Sequence, residues 1–86
     1  MIKSILIDNN DIYLGGIFTN INGVNRNTIA KIDKTTGNIN NWDPKVDYNG
    51  YHNISKILKI NKNIYFSGSF TSINAQSRNG LAMVDK

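Results

Sequence analysis

An all-β fold made of repeated four-stranded antiparallel units is what this sequence predicts, and three observations carry that expectation. The first is an internal repeat. Residues 12–34, IYLGGIFTNINGVNRNTIAKIDK, return at residues 64–86 as IYFSGSFTSINAQSRNGLAMVDK, offset by 52. Extended back to Ile5 and Ile57, the copies align over 30 residue pairs without a gap, and 15 pairs are identical. A period of this length marks architectures in which one unit cannot bury its own apolar face and stacks on the next. The second observation is a set of short runs rich in β-branched and aromatic residues, bounded by Asn, Asp and Gly clusters. The third is that no stretch shows the 3.6-residue periodicity of an amphipathic helix.

Taken in order, residues 2–7 form a short apolar strand that runs into the turn cluster Asp8-Asn9-Asn10-Asp11. Residues 12–14 return as the second strand of a hairpin. They end at Gly15-Gly16, where small residues predict a bulge or a close backbone approach, and Gly16 and its mate Gly68 are the positions expected to refuse a side chain. A loop follows over residues 19–28, with Ile21 turned inward and the pair Arg26-Asn27 near its end. Residues 29–33 make a third strand. Residues 34–37 make a hairpin turn with Gly37 at the position needing φ > 0, and residues 39–42 make a fourth strand closed by Asp43-Pro44. A linker over residues 45–53 leads to the second copy: strands at 54–60, 64–66 and 81–85, with a matching loop at 71–80.

Four short antiparallel strands in a unit of this length are the signature of a β-propeller blade. The expected organisation is one blade repeat over residues 1–53 and a second over 54–86 that stops after its third strand, in the order A-B-C-D-A-B-C. Propellers close with about 4–8 blades, so two units alone would leave apolar faces open, and completion by further blades or by other copies of the chain is expected.

Composition narrows the function classes. The chain has 86 residues and a net charge of +4, with 15 Asn, 14 Ile and no Glu, a bias expected of an A/T-rich bacterial or viral genome. It contains no cysteine and one histidine, so neither a disulfide framework nor a thiolate or histidine metal centre is expected. The basic residues are dispersed without an interleaved aromatic stripe, which argues for a solvated surface and against nucleic acid. No apolar run approaches the roughly 20 residues of a membrane-spanning helix. No signal peptide is legible in this segment, and the compartment stays open.

The motifs Tyr13-Leu-Gly-Gly-Ile-Phe-Thr, Asn22-Gly-Val-Asn-Arg-Asn, Ile29-Ala-Lys-Ile-Asp33, Thr36-Gly37 and Trp42-Asp-Pro44 resemble the delta-60 type β-propeller repeats. The second copy keeps Tyr65, Gly68, Phe70, Thr71, Arg78, Asn79, Leu81, Ala82 and Asp85. It departs from the pattern at Ser67 and Ala75. The resemblance implies a propeller fold built of tandem repeats, in large proteins that are often extracellular or surface-bound. It implies no particular reaction.

Repeated residues are expected to be scaffold: Tyr13, Gly16, Phe18, Arg26, Asn27, Asp33, Gly37 and Trp42 in the first unit, Tyr65, Gly68, Phe70, Arg78, Asn79 and Asp85 in the second. Asp33 is expected to cap a turn, and Arg26 and Arg78 to tie loops to carbonyls or a neighbouring Asp. Ala30, Asp33, Gly37 and Trp42 miss the spacing of the quinoprotein docking motif by one residue on each side. The Asp8–Asp11 turn lacks the ligand order of a calcium loop, and Asn53-Ile54-Ser55 is a glycosylation sequon that abuts a predicted strand. No Ser/His/Asp or Cys/His set is present. Specificity is expected where the copies differ: Ile7/Lys59, Asp8/Ile60, residues 23–25 against 75–77, and Lys31/Met83. The unrepeated Tyr48, Tyr51 and His52 are the expected contact surface. The expected function is therefore a non-enzymatic scaffold for protein or glycan recognition, without catalytic residues, cofactor or metal. The alternative is a fragment of a propeller hydrolase or quinoprotein-like enzyme whose catalytic residues lie outside the segment.

Overall fold

The computed structural model describes residues 1–47 and 53–85, and these form only β-structure. The strands are β1 (Ile2–Asp8), β2 (Asp11–Gly16), β3 (Asn20–Ile21), β4 (Val24–Asn25), β5 (Ile29–Asp33), β6 (Val46–Asp47), β7 (Asn53–Ile60), β8 (Asn63–Ser69), β9 (Ser72–Ile73), β10 (Gln76–Ser77) and β11 (Leu81–Asp85). Two three-stranded antiparallel sheets dominate: sheet 1 in the order β1-β2-β5, and sheet 2 in the order β7-β8-β11.

Local chemistry explains both. The β1–β2 and β7–β8 hairpins turn through Asn9 (φ 54°) and Asn61 (φ 56°), a left-handed conformation that asparagine tolerates well. Each first strand carries a bulge, between Ile2 and Ser4 in β1 and between Ile54 and Lys56 in β7. Opposite those bulges lie Gly16 and Gly68. A Cβ on Gly16 would stand 2.1 Å from the Met1 carbonyl oxygen, and one on Gly68 would stand 2.1 Å from that of Asn53. Only glycine lets the two backbones approach this closely.

The loops after β2 and β8 are themselves hairpins. Asn22 (φ 49°) and Gly23 (φ 83°) place β3 against β4 through a two-residue turn with both φ values positive, and Asn74 (φ 50°) and Ala75 (φ 64°) do the same for β9 and β10. Alanine at a left-handed position carries a steric cost of about 1–2 kcal/mol that glycine does not. Ala75→Gly should therefore stabilise the chain by up to about 1 kcal/mol once glycine's greater unfolded-state freedom is subtracted. Chemical denaturation would register this as a higher midpoint with an unchanged slope.

Two expectations about the sheets need correction. Residues 39–42 do not make a fourth strand. They contribute one bridge, Ile32 to Ile39, with Asn40 N donating to Lys31 O at 2.7 Å. The pairing stops because Asn40 Oδ1 accepts the Trp42 backbone N–H at 2.7 Å, a local turn that competes with the ladder. Trp42 then crosses to sheet 2, where its Nε1–H donates to Asp85 O at 2.8 Å. The stretch over residues 45–53, read as a linker with no strand assigned, instead supplies β6, which pairs with β9 and extends that hairpin to the order β10-β9-β6.

The core lies between the two main sheets. Cross-strand register puts Ser4, Leu6, Asp8, Tyr13, Gly15, Ile29 and Lys31 on one face of sheet 1. That face meets the face of sheet 2 carrying Ile57, Lys59, Ile64, Phe66 and Ala82. The Ile57 backbone N–H donates to Ser4 Oγ at 3.2 Å, and Ile54 and Ile57 fill the space over Gly15. Lys59 Nζ donates to Asp8 Oδ1 at 2.8 Å, an ion pair whose carboxylate is 7% exposed.

Candidate functional site

Two surfaces stand out, a polar cleft and a pair of open apolar faces. The cleft, about 600 Å³, opens between the loops after β2 and β5 and the β9–β10 hairpin, and Arg26, Asn27, Asp43, Lys45 and Asp47 supply its polar lining. That volume falls in the range of small-molecule pockets.

Its floor is built by the Arg-Asn pair. Arg26 Nη1 donates to Asn25 O at 2.5 Å and Nη2 to Asn40 O at 2.8 Å, so the guanidinium clamps the β4 loop to the segment after β5. Asn27 Nδ2 donates to Val46 O at 2.7 Å, which fixes β6. The next residue, Thr28, is fully buried at φ 67°, with its hydroxyl donating to Asn27 O at 2.6 Å. The second copy has Gly80 (φ 79°) at that place, so the first copy holds a β-branched residue where glycine is the relaxed choice.

Asp43 is shared in the cleft. Its Oδ2 lies 3.2 Å from Lys45 Nζ and 3.9 Å from Arg26 Nη1, and its Oδ1 accepts the Lys45 backbone N–H at 3.0 Å. Two cations and two carboxylates therefore line the cleft in near balance, which gives no strong attraction for an ion of either sign. The arrangement binds backbone to backbone and offers no nucleophile with an adjacent base.

The remaining repeated residues hold structure together. Tyr13 is fully buried, edge-on to Trp42 with ring centroids 5.3 Å apart, and Lys31 Nζ lies 5.5 Å from its ring centre. Burial, with the Asp11 and Asp8 carboxylates nearby, pushes the Tyr13 phenol up to about 12. Phe66 and Phe70 pack against each other at 5.5 Å, and Phe18 is half-buried. Asp33 Oδ1 accepts the backbone N–H groups of Thr35 (2.8 Å) and Thr36 (3.0 Å), and these bonds, Thr36's foremost, hold its carboxyl below the usual range. Gly37 closes that turn at φ 79°. Asp85, the mate of Asp33, serves through its carbonyl, which accepts from Trp42. Arg78 and Asn79 are exposed; the Arg78 guanidinium donates to its neighbours Ser77 O and Gln76 Oε1, and its backbone N–H donates to Thr71 O at 2.9 Å across the β9–β10 hairpin.

The Tyr13 hydroxyl is buried and has no hydrogen-bond partner among the described residues. Tyr13→Phe should therefore leave neutral-pH stability nearly unchanged. A raised folded-state value means that the folded chain holds the phenolic proton where the unfolded chain has lost it. Stability from this group is complete below pH 10 and falls as pH rises towards 12. The substitution should flatten that alkaline loss, as read by circular dichroism across pH 9–12.

The Asp8–Asp11 turn spends its oxygens on the protein. Asp8 holds Lys59, Asn10 Oδ1 accepts the Thr35 hydroxyl at 2.7 Å, and Asp11 lies 3.7 Å from Lys31. No trio of His, Cys, Asp or Glu among the described residues could hold a metal ion. Tyr48, Tyr51 and His52 lie outside the described residues. Sequence reasoning missed the cleft because its walls come from loops, although Ile21-Asn22-Gly23-Val24 carried a hairpin signal.

The second surface is apolar. Ile5, Ile7, Ile12, Leu14, Ala30 and Ile32 share the outer face of sheet 1; Ile5 and Ile7 are 60% and 63% exposed, Ile12, Leu14 and Ile32 are half-buried and Ala30 is buried beneath them. Leu58, Ile60, Tyr65, Leu81 and Met83 share the outer face of sheet 2, where Leu58, Tyr65 and Leu81 line a shallow groove of about 230 Å³. No protein-family model, curated protein or solved structure matches the chain.

Proposed function

We propose that the chain is a non-enzymatic scaffold of two β-propeller-type units, completed by further units and serving protein or glycan recognition. The observation that carries this reading is the pair of outer apolar faces on sheets already stacked face to face. Exposed apolar surface of this extent on a small soluble chain marks a contact surface. Each main strand of the first unit has a mate 52 residues on, with bulge, close-approach glycine and left-handed asparagine at matching places. That is the regularity expected of stacked units, each burying the face of the next. Glycines and turn residues hold the frame, while recognition falls to positions where the units differ, among them the cleft beside Arg26 and Asn27.

The test is linkage between folding and association. A fold completed by other units melts at a temperature that rises with protein concentration. A melting temperature constant from micromolar to millimolar chain would overturn the reading.

A further inference from the structure

We propose that the two outer faces are the two halves of one interface: the outer face of sheet 2 in one copy of this chain packs, head to tail, on the outer face of sheet 1 in a second copy. The inference deepens the scaffold reading and rests on it, but it names the partner and the residues that select it.

The contact already present within the chain sets the geometry. There, the face of sheet 1 that bears Leu6, Asp8, Tyr13 and Lys31 meets the face of sheet 2 that bears Ile57, Lys59, Ile64 and Phe66. Adding 52 to the first set gives Leu58, Ile60, Tyr65 and Met83, the outer face of sheet 2. Subtracting 52 from the second gives Ile5, Ile7, Ile12 and Leu14, the outer face of sheet 1. The same geometry, repeated between chains, would therefore bring these two outer faces together.

The side chains change in concert. Within the chain, the contact is pinned by Asp8 against Lys59 at 2.8 Å. At the matching place between chains, the residues are Ile60 and Ile7, 48% and 63% exposed. Both halves of an ion pair are replaced by both halves of an apolar pair, at positions 53 residues apart in sequence. Either replacement alone would bury a charge against an isoleucine. A further exchange points the same way: Lys31, over the Tyr13 ring, becomes Met83 beside Tyr65. Ser67 stands at the place of Gly15, so Ile2 of the second copy, exposed at the start of its strand, must turn aside there. Such a contact is heterologous, the same patch never meeting itself, and it closes into a ring if the rotation per copy allows. Three copies would bring six units, within the propeller range.

The experiment recreates the inner ion pair on the outer faces. Ile60→Asp alone and Ile7→Lys alone each place an unpaired charge in the contact, and each should weaken association by at least about 100-fold in sedimentation velocity. The chain carrying both substitutions, in which every contact of the ring pairs the new aspartate with the new lysine, should regain most of it. Both positions are exposed, so circular dichroism should show all variants folded, and an unrelated exposed change, Lys62→Asp, serves as the control. If the unsubstituted chain associates but the single variants do so equally well, or the double variant does not recover, the proposed interface is wrong and the scaffold reading survives. If the unsubstituted chain is a folded monomer at every concentration, both fall.

Discussion

Gly68→Ala should cost about 3 kcal/mol or more, among the largest losses any single methyl group can produce in this chain. The added carbon would stand 2.1 Å from Asn53 O and 2.9 Å from the Ile54 Cα, so the obstacle is backbone and no side chain can swing away. Relief would require opening the β7 bulge, which seats Ile54 and Ile57 over Gly15. Gly16→Ala should behave alike against Met1 O. Gly23→Ala is the contrast: its φ is 83°, nothing lies within 4 Å of the new carbon, and its mate is already alanine. That substitution should cost only about 1 kcal/mol. For a domain of this size, each kcal/mol is about 4–8 °C of melting temperature, so calorimetry separates the two classes.

Phe66→Ala is the second large effect. The ring is 1% exposed and sits in the core between the sheets with Tyr13, Ile29, Ile64 and Phe70. Removing it should cost about 3–5 kcal/mol, by lost burial and a cavity that stiff β-branched neighbours fill poorly. Leu58→Ala offers the comparison, since Leu58 is on the outer face of the same sheet. It should change the stability of the isolated chain by no more than about 0.5 kcal/mol while weakening association. An equal loss of stability at both positions would mean that the outer face is not open.

Much of the strand pattern was legible because period-two patterning and Asn/Gly turns are local signals. The hairpins at Asn9 and Asn61 and the turn at Gly37 needed nothing beyond their own few residues. The fourth strand failed for an equally local reason: Asn40 folds back on Trp42 N, and the tryptophan finds its partner at Asp85, 43 residues away. The polar cleft was not legible, because Arg26 and Asp43 come from separate loops and meet Asp47 and Ser72 only through the pairing of β6 with β9. The exchange of Asp8 and Lys59 for Ile60 and Ile7 lay in plain view as two unlike pairs. Its meaning required the register that sets each pair on facing surfaces.

One claim carries the account: the outer faces of sheets 1 and 2 are unfinished core. Native mass spectrometry of the unsubstituted chain, paired with circular dichroism on the same samples, tests it most directly. Folded species at whole-number multiples of 9.6 kDa, with little monomer at tens of micromolar chain, are the predicted result. A folded 9.6 kDa monomer that persists unchanged into the millimolar range would contradict it.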